Sequence, residues 1–554
     1  MQKNRDRPSK DSKSQLNDFF DSVKRKAKYL ADKIKSFGKA FEKGFNKVKS
    51  SIKLFQKSDK KSKSSGKLLK KGGKAEYKYA LASIVLILVF VVLFSVFSSA
   101  DTGYVKPTVS NSSISYDADY TVKFYGTDSL YASAGVNKGQ AVLEPTAPTS
   151  KGLYFVGWYD AKEGGNYISF PYKPTGNITL DPRFSDTVVL GFTGLNNKDG
   201  TLTYTDDIAN VGGYRMNATA LYVDVTSSLD NMFPFSEIEE FTDAEGNVFV
   251  KFPKCYIKFV STSGGTITGF KVSNVQAEED MFIPDCFLDP SDATGNTYLD
   301  YFALAKYEMS GSSSKGYSKS GETCLVQISR KTARTAARSY GTVGNYYNGY
   351  QLQDYSMTVL YNFLCMMYYK TSNIQTVYGG RTGVLFSWSS AAQTGTTDAI
   401  SGLNGWNKYT HCVKMLGIEN PYGNVDKWID GITFQNYSIY LYDNPLNYSD
   451  SVSDGGGFYF PYDRPLTGSY INSLIAGNTN ETRSYVFINY TGANVTEYIG
   501  DTHSSSSSGV TLAMGGYYSG GAKYGLWHMD HSNSSGYVSD ANGARLAYRP
   551  IRSN

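Results

Sequence analysis

One uninterrupted apolar stretch limits the topology that this chain can adopt. Residues 79–98 read YALASIVLILVFVVLFSVFS and contain no charged side chain over 20 positions. A helix of that length spans the hydrocarbon core of a bilayer, which is about 30 Å thick, whereas helices buried in soluble cores are rarely so uniformly apolar. The stretch also starts too late, and is too long, for a cleaved signal peptide. It therefore predicts a single transmembrane helix.

The charge balance differs in sign on the two sides of this stretch. Residues 1–78 carry 25 Lys and Arg against 8 Asp and Glu, whereas residues 79–554 carry 31 against 42. Basic residues are enriched on the cytoplasmic side of membrane helices. We therefore expect a single-pass cell-membrane protein with its N-terminus in the cytoplasm and residues 99–554 outside the cell. The acidic balance of the outer part disfavours nucleic acid as a partner.

The basic region contains a helical pattern of its own. Apolar residues recur every three or four positions from Leu16 to Phe55, and lysines occupy the other faces. This spacing predicts an amphipathic helix of about eleven turns. Two interpretations of this helix remain. In one, residues 16–78 lie on the anionic inner leaflet of the lipid bilayer. In the other, the helix forms a coiled coil that oligomerises the chain. Gly38, Gly44 and the many Phe residues favour the membrane surface.

A Ser/Asn-rich tether at 99–118 is followed by a segment, 119–184, in which Val, Phe and Tyr alternate as in strands. This segment contains VKFYG near its start, APTSKGLYFVGWYD with Trp158 at its centre, and PTGNITLDPRF at its end. These motifs resemble the B-repeat of internalin-type bacterial surface proteins. The resemblance implies a small β-grasp-like spacer that carries no catalytic residues.

Residues 185–295 have a β-rich pattern, including an alternating strand over Val248–Val260. Beyond them, FALAKYEMS begins at Phe302, an amphipathic helix is expected over Asp354–Tyr369, NPYGNVDKWIDGI begins at Asn420, and the chain closes with NGARLAYRP. In this order the motifs resemble the formylglycine-generating-enzyme-like branch of the C-type lectin fold.

The match to that branch has specific departures. Gly423, Asn424 and Val425 fit its GNVWEW signature, but Asp426 and Lys427 replace the usual Trp and Glu before Trp428. In the Gly-Phe-Arg close of the branch, Ala544 replaces Phe. The resemblance implies that Trp428 is a core residue and that Arg545 braces the fold through hydrogen bonds.

The predicted fold class is therefore α+β with a β-rich outer part, in which a small β-grasp-like repeat precedes a C-type lectin-like domain behind one transmembrane helix. The predicted organisation is a cytoplasmic basic region (1–78), a transmembrane helix (79–98), a tether (99–118), a β-grasp-like spacer (119–184), a β-rich lead-in (185–295) and a C-type lectin-like ligand-binding domain (296–554).

The composition of residues 517–542 is typical of a contact surface. Of these 26 residues, 19 are Tyr, Ser, Gly, Asn, Asp or His. Tyr and Trp supply rigid contact area, while Ser, Gly and Asn supply adaptable hydrogen bonds. A surface loop without a partner has a similar composition, and Trp527 and Met529 also suit a core. The candidate ligand-binding residues are Tyr517, Tyr518, Tyr524, Trp527, His528, Asp530, His531, Asn533, Ser535, Tyr537, Asp540 and Asn542.

This stretch also resembles the altered patch that ends the C-type lectin domain of variable proteins diversified by retroelements. The resemblance implies a hypervariable face that binds an external protein or a cell-surface ligand. Together with the predicted transmembrane helix, it implies a membrane-anchored adhesin or receptor-like protein. Two alternatives remain: an enzyme of the formylglycine-generating kind, and a structural tail or adhesion protein of a prophage.

The residues required for catalysis are not apparent. Formylglycine-generating enzymes need a late pair of cysteines, but this chain has none after Cys412. The five cysteines form no close sequence pair, although a bridge between Cys255 and Cys286 stays open. An iron site of His528, Asp530 and His531 is conceivable, but it lies in a Gly/Ser-rich segment unsuited to a helix. We therefore expect no enzyme activity, no metal and no cofactor.

Overall fold

The computed structural model describes residues 103–550 except for 293–294, 342–347, 385–387, 436–437, 452–457, 461–469, 478–482, 490–493 and 507–508. The predicted transmembrane helix at 79–98 and the predicted amphipathic helix from Leu16 to Phe55 lie outside the described residues and stay predictions. Among the residues that are described, no helix is long and apolar enough to cross a membrane.

The described part of the chain is rich in β-structure, as the sequence predicts. Its two α-helices are α1 (Arg330–Ala337) and α2 (Tyr355–Tyr369). The strands before the C-terminal region are β1 (Tyr104–Val105), β2 (Thr108–Val109), β3 (Tyr120–Tyr125), β4 (Leu130–Val136), β5 (Ala141–Val142), β6 (Tyr154–Tyr159), β7 (Ile178–Ser185), β8 (Val189–Thr193), β9 (Thr203–Asp206), β10 (Arg215–Ala218), β11 (Tyr222–Thr226), β12 (Glu239–Thr242), β13 (Val248–Pro253), β14 (Tyr256–Ser261) and β15 (Ile267–Ser273).

The C-terminal region contributes eighteen further strands to the described structure. They are β16 (Tyr301–Ala305), β17 (Ser310–Ser312), β18 (Lys315–Tyr317), β19 (Tyr350–Leu352), β20 (Asn404–Asn407), β21 (Val413–Met415), β22 (Ile418–Glu419), β23 (Asp426–Ile429), β24 (Ile432–Gln435), β25 (Ser438–Leu441), β26 (Phe458–Phe460), β27 (Ser473–Ala476), β28 (Val486–Asn489), β29 (His503–Ser505), β30 (Thr511–Met514), β31 (Met529–Asn533), β32 (Asn542–Gly543) and β33 (Leu546–Tyr548).

The repeat-like segment forms a mixed sheet with the strand order β2-β4-β3-β7-β6. Its two central strands, β3 and β7, run parallel. Trp158 is fully buried beneath this sheet, where its ring meets those of Phe124 and Phe155 edge-on. The aromatic residues of the sequence motif therefore form the core of this small body.

The tether predicted at 99–118 is partly built into the repeat. β1 pairs with β5, and β2 pairs with β4, so both short strands extend the structure that follows them. Val105 packs against the repeat core. The Ser/Asn-rich composition predicted a free linker here. β-Branched residues favour strand pairing even within such a stretch, and composition alone does not show this.

The single strand predicted over Val248–Val260 is two strands, β13 and β14. β13 ends at Pro253, which lacks an N–H to continue the ladder. β13 pairs with β12 and β16, whereas β14 pairs with β15 in a different sheet. The chain therefore passes from one sheet to another at Lys254 and Cys255.

The predicted boundary at residue 295 runs through sheets that both sides share. β13 lies before this boundary and pairs with β16, which in turn pairs with β33 near the end of the chain. β11 pairs likewise with β20. Residues 185–295 therefore complete the C-terminal domain and do not form a separate body.

Helix α2 is the centre of the large core. The sequence predicts an amphipathic helix here, with one apolar face, but all fifteen residues are buried. The physical reason is visible in the sequence YSMTVLYNFLCMMYY, which contains no charge, since a helix that is apolar on all sides is a core helix. Asp354 caps its start by accepting a hydrogen bond from Met357 N at 2.9 Å.

Hydrogen bonds and an aromatic contact join the repeat to the C-terminal domain. Asn231 Nδ2 donates to the Pro145 carbonyl at 3.2 Å, and its Oδ1 accepts from Ala147 N at 2.9 Å. The rings of Tyr154 and Phe233 meet edge-on at 5.3 Å between centroids. These contacts fix the repeat to the domain that it precedes.

Candidate ligand-binding face

Strand β31 directs alternate side chains to the surface and to the interior. Asp530 and Ser532 are partly exposed, whereas Met529, His531 and Asn533 are buried. Successive side chains of a strand point to opposite faces. Only every second residue of this part of the predicted surface is therefore accessible.

Asp530 belongs to a row of four side chains that crosses the sheet. The strand pairing aligns Asp530 with Ser504 of β29 on one side and with Ala513 of β30 on the other. Ala513 is aligned in turn with Trp428 of β23. Directly paired residues share a face, and the ring of Tyr537 meets that of Trp428 edge-on at 6.4 Å. The row thus connects Asp530 to Tyr537.

The loop after β31 is the most exposed part of the predicted surface. Ser535 and Asp540 are exposed, and Tyr537 is 42% exposed. Tyr518 Oη donates to Asp540 Oδ2 at 3.4 Å, and the Tyr518 ring contacts the partly exposed ring of Tyr517. The accessible members of the predicted set, called here the five accessible residues, are Tyr517, Asp530, Ser535, Tyr537 and Asp540.

The other seven predicted residues are buried, so the structure does not place these seven candidates at the surface. Each of them is at most 7% exposed. They are Tyr518, Tyr524, Trp527, His528, His531, Asn533 and Asn542. Tyr, Trp, His and Asn can fill a frame as well as cover a surface, so composition does not separate the two roles. Of these seven, Tyr518 and Tyr524 contact the accessible Tyr517 directly.

The sequence is compatible with Trp527 either on the contact surface or in the core, and the structure places it in the core. It is fully buried, and its ring meets Phe363 of α2 edge-on at 5.5 Å. Trp527 N donates to Asp501 Oδ2 at 2.7 Å, and the Leu526 carbonyl accepts from Asn362 Nδ2 at 2.9 Å. The centre of the stretch is therefore fastened to the central helix.

Tyr524 fills a space that two glycines leave open. A Cβ atom at either Gly516 or Gly520 would overlap the Tyr524 ring. Gly516 also has a φ of +68°, which side chains of L-residues rarely adopt. The Tyr524 ring lies 4.2 Å from the His528 ring and 5.2 Å from the Tyr517 ring, between centroids. The glycines thus allow an aromatic cluster that holds Tyr517 at the surface.

The two close histidines point to different surroundings. His528 Nδ1 lies 2.7 Å from the Thr502 carbonyl oxygen, and burial lowers the His528 pKa. The His531 ring stacks on Phe434 at 4.5 Å and on His503 at 5.9 Å. Among the described residues, no group of three or more His, Cys, Asp or Glu side chains is placed to hold a metal ion.

The accessible region is acidic. Burial raises the pKa of Asp426, and the nearby charge of Asp530 raises it further. Asp426 Oδ1 accepts a hydrogen bond from Gly516 N at 3.1 Å, at the base of the aromatic cluster. Asp530 and Asp540 remain at the surface, where Lys523 is an exposed cation beside the Tyr524 ring. Such a surface suits polar and aromatic contact with a partner.

The roles predicted for Trp428 and Arg545 are confirmed. Trp428 is fully buried and donates from Nε1 to the Ile328 carbonyl at 2.8 Å. Arg545 donates from Nη1 to the carbonyls of residues 305 and 306, and from Nη2 to those of residues 419 and 420. One guanidinium therefore joins the end of β16 to the segment before the signature motif.

The substituted signature residue Lys427 is also structural. Its Nζ donates to the Gly423 carbonyl at 2.8 Å and lies 3.5 Å from Glu308 Oε1. Burial lowers the Lys427 pKa, and the opposing charge of Glu308 acts to raise it. The replacement of Glu by Lys at this position therefore provides a buried partner for Glu308.

All five cysteines are free and buried, so the bridge between Cys255 and Cys286 that the sequence left open is not formed. Burial raises the pKa of the Cys412 thiol to about 11 and that of the Cys255 thiol above its ordinary range. A thiolate is the reactive form of cysteine. These thiols are therefore core groups in this structure.

A cleft of about 880 Å³ adjoins the loop after β31. Ser535 and Gly536 line it from that loop, α1 lines another wall, and the segment from Tyr448 to Ser451 lines a third. None of the twelve candidate ligand-binding residues lies on α1. The missed signal is that RKTARTAAR contains four cations and no carboxylate, although only the fold shows what this helix faces.

Comparison with known proteins identifies the repeat-like segment near the start of the described residues. Residues 120–181 match the family model Flg_new, the Listeria-Bacteroides repeat domain. The chain is 38% identical over 86 residues to Internalin H of Listeria monocytogenes serovar 1/2a, which is 15% of each protein. The chain thus matches only a small part of that relative. The B-repeat resemblance is confirmed for this segment.

Among solved structures, the Major Tropism Determinant U1 Variant gives a match to this chain. The two are 12% identical with a TM-score of 0.19, and the match covers 73% of this chain and 85% of that one. A likeness of this size assigns neither fold nor function. The resemblance of the C-terminal region to the formylglycine-generating-enzyme-like branch stays a prediction.

Proposed function

We propose that this chain is a membrane-anchored, surface-displayed protein of adhesin-like function, without enzymatic activity. In this proposal residues 79–98 span the cell membrane, residues 16–78 contact its anionic inner leaflet, and the repeat is a spacer. A C-type lectin-like domain at the end binds an external protein or cell-surface ligand. The repeat match supports the surface location, since its relative is an internalin by name.

The observation that carries the binding role is the arrangement of the five accessible residues. Asp530 and Tyr537 are accessible at the two ends of a row of contacts whose middle members, Ala513 and Trp428, are fully buried in the core. Beneath them, Trp527 and Asp501 fasten the stretch to the core. Rigid aromatic and short polar side chains on a fixed frame lose little entropy on binding.

Diversification by a retroelement belongs to the same proposal, and the structure limits where it would act. Variation at the five accessible residues would alter the contact surface while leaving the core intact, whereas variation at Trp527 would disturb the core. The test is the DNA around the coding region. A nearby reverse transcriptase and a near-identical template copy of the 3′ end are expected, and the absence of both would refute diversification.

The binding role is tested with cells that display the full-length chain. A panel of bacterial and animal cells is screened for attachment to them. A variant combining Tyr517→Ala, Asp530→Asn, Tyr537→Ala and Asp540→Asn should lose most of the attachment, because few central residues carry most of an interface's energy.

A matched control removes similar side chains from another surface of the domain. Suitable positions are Tyr409, which is 70% exposed, and the partly exposed Asp224, which accepts a hydrogen bond from Ser401 N at 3.1 Å. The control variant Tyr409→Ala with Asp224→Asn should attach normally. Equal attachment by the wild type, the four-residue variant and cells without the chain would contradict the proposed function.

The proposed topology has its own test. A protease added to intact cells should remove an epitope tag placed at the C-terminus and spare a tag at the N-terminus. Protection of the C-terminal tag in intact cells, or recovery of the chain outside the membrane fraction, would contradict the proposed membrane display.

A further inference from the structure

The cleft beside the five accessible residues has a wall formed by one face of α1. Lys331, Thr335 and Arg338 are spaced four and three residues apart, so they point in the same direction. The opposite wall is the segment from Tyr448 to Ser451. Ser535 and Gly536 close the side that faces the candidate ligand-binding face, so that the two regions meet there.

The lining of the cleft is rich in hydroxyl groups. In addition to Thr335, it contains serines from four separate segments of the chain. They are Ser314, Ser329, Ser339, Ser449, Ser451 and Ser535. Each hydroxyl can both donate and accept a hydrogen bond. A lining of this kind is matched by a ligand that carries many hydroxyl groups of its own.

The charge of the cleft is positive. Arg330 and Arg334 are neutralised by the buried carboxylates of Asp430 and Asp450, with nitrogen–oxygen distances of 2.6–2.8 Å. Lys331 is exposed, and no carboxylate of the described residues forms an ion pair with it. The guanidinium of Arg338 donates to the Pro445 carbonyl. The rim therefore offers positive charge to a ligand.

A buried acceptor lies on the floor of the cleft. Asp450 Oδ1 accepts from Arg330 Nε at 2.7 Å and from Arg334 Nη2 at 2.8 Å. Asp450 Oδ2 is shielded from solvent and accepts no hydrogen bond from the described part of the chain, and the side chain is only 10% exposed. Burial acts to raise the Asp450 pKa, but the two guanidiniums hold it below its usual value. Only the Oδ2 atom of this carboxylate therefore lacks a donor among the described residues.

We propose that this cleft binds an acidic oligosaccharide, a carbohydrate that carries carboxylate or sulfate groups. Its anionic groups pair with Lys331 and Arg338 at the rim, and one of its hydroxyls donates to Asp450 Oδ2 at the floor. The serine and threonine hydroxyls bind the remaining sugar hydroxyls. Tyr537, exposed beside the Ser535 rim, offers an aromatic ring to a sugar face.

The combination of groups distinguishes this ligand from simpler anions. A bare polyanion would use the rim cations but would supply no donor to Asp450 Oδ2 and would repel its charge. A neutral sugar would satisfy the hydroxyls but leave Lys331 without a counter-charge. A ligand with both hydroxyls and negative charge suits the exposed Lys331, the Asp450 Oδ2 acceptor and the hydroxyl-rich lining together. The proposal rests on the proposed display of this domain outside the cell.

The test measures binding of four polymers to the purified full-length chain in detergent: heparin as a sulfated polysaccharide, polygalacturonate as a carboxylated one, dextran as a neutral one, and polyglutamate as an anion without hydroxyls. We expect binding of heparin or polygalacturonate, the stronger of the two identifying the anionic group. Dextran and polyglutamate should bind at least about tenfold more weakly, since each loses one class of contact.

Single substitutions then place the site. Lys331→Gln should weaken binding of the acidic polysaccharide by about three- to tenfold, as expected for the loss of one charge-assisted contact. Lys162→Gln, which removes an equally exposed lysine from the repeat, should leave it unchanged. Equal losses for the two variants, or equal binding of polyglutamate, would show attraction by charge alone and would overturn the proposal, as would no binding of either acidic polysaccharide.

The proposal about the cleft and the proposed function can be refuted independently. If displayed cells attach to partners through the five accessible residues while no acidic polysaccharide binds, the inference about the cleft is refuted and the binding face stands. If heparin or polygalacturonate binds through Lys331 while the four-residue face variant attaches normally, the cleft is supported and the proposed face is refuted.

Discussion

The backbone N–H of Trp527 donates to the buried carboxyl of Asp501 at 2.7 Å. This bond joins the middle of a Tyr/Ser/Gly-rich stretch to a segment 26 residues earlier in the chain. Gln375 Nε2 also donates to this carboxyl. A stretch with the composition of a loop is therefore held as firmly as a core element.

Asp501→Ala should lower the free energy of unfolding by about 1–3 kcal/mol, because it leaves the buried N–H of Trp527 without an acceptor. Chemical denaturation followed by tryptophan fluorescence measures this change. Asp186→Ala, at an exposed position, serves as the control and should have no measurable effect. Equal stability of the two variants would show that the Asp501 contact does not hold the stretch.

The same carboxyl predicts a pH dependence. Burial raises the Asp501 pKa from 3.8 to about 7. The folded state therefore binds this proton more tightly than the unfolded state, and its contribution to stability is lost as the pH rises from about 4 to about 7. Asp501→Asn should flatten the stability profile in that window, as seen in denaturation series across pH. An unchanged slope would contradict the raised pKa.

Gly520→Ala should displace the Tyr524 ring, because the added methyl group would occupy its position. Overpacking of this kind costs about 1–3 kcal/mol. The matched control is Gly536→Ala, since nothing lies within 4 Å of a Cβ at that position. Thermal unfolding should distinguish the two variants, and equal melting temperatures would mean that the aromatic cluster is loosely packed.

The interface between the repeat and the C-terminal domain should weaken as the pH rises toward alkaline values. Glu144 is half-buried with its Oε2 atom shielded, and burial raises its pKa from 4.5 to about 8, against the lowering effect of hydrogen bonds with Ser228 and Asn231. Since the folded state holds this proton, the stabilising contribution falls between about pH 4.5 and 8.

Glu144→Gln should therefore be more stable than the wild type at pH 9 and close to it at pH 5. Limited proteolysis between the repeat and the domain measures the difference. Glu163→Gln, at an exposed position of the repeat, should follow the wild type at both pH values. A Glu144→Gln variant with the wild-type pH profile would contradict a protonated Glu144.

Arg545→Lys should lower the free energy of unfolding by about 2–5 kcal/mol, because an ammonium cannot reach four carbonyls as a planar guanidinium does. Chemical denaturation of the full-length chain measures the effect. Arg215→Lys, at a partly exposed residue that donates to Thr226 Oγ1 at 3.3 Å, should cost much less. Similar losses would show that Arg545 does not brace the domain.

Local sequence motifs predicted the parts of the fold that depend on local sequence. The repeat was predictable because VKFYG and VGWYD lie within its own strands, and Trp428 and Arg545 were predictable from a motif and the close of the domain. The central position of α2 could have been inferred from its lack of charge. The break between β13 and β14 at Pro253 was also signalled by a proline.

The candidate site depended on information that composition does not carry. The alternation of Asp530 and Ser532 with Met529, His531 and Asn533 was present in the sequence, but all except Met529 are polar or aromatic enough to suit a surface. The cleft brings Ser314, Lys331, Asp450 and Ser535 together from segments separated by up to 221 residues. No local pattern predicts such a meeting.

The central claim is that the five accessible residues form a contact face on a frame made by the seven buried ones. Its most direct test is saturation substitution at all twelve positions in the displayed full-length chain, with resistance to protease as the measure of folding. We expect most substitutions to be accepted at the five accessible residues, Tyr517, Asp530, Ser535, Tyr537 and Asp540. We expect few to be accepted at the buried positions, and fewest at Trp527. Equally broad tolerance at the seven buried positions would contradict it.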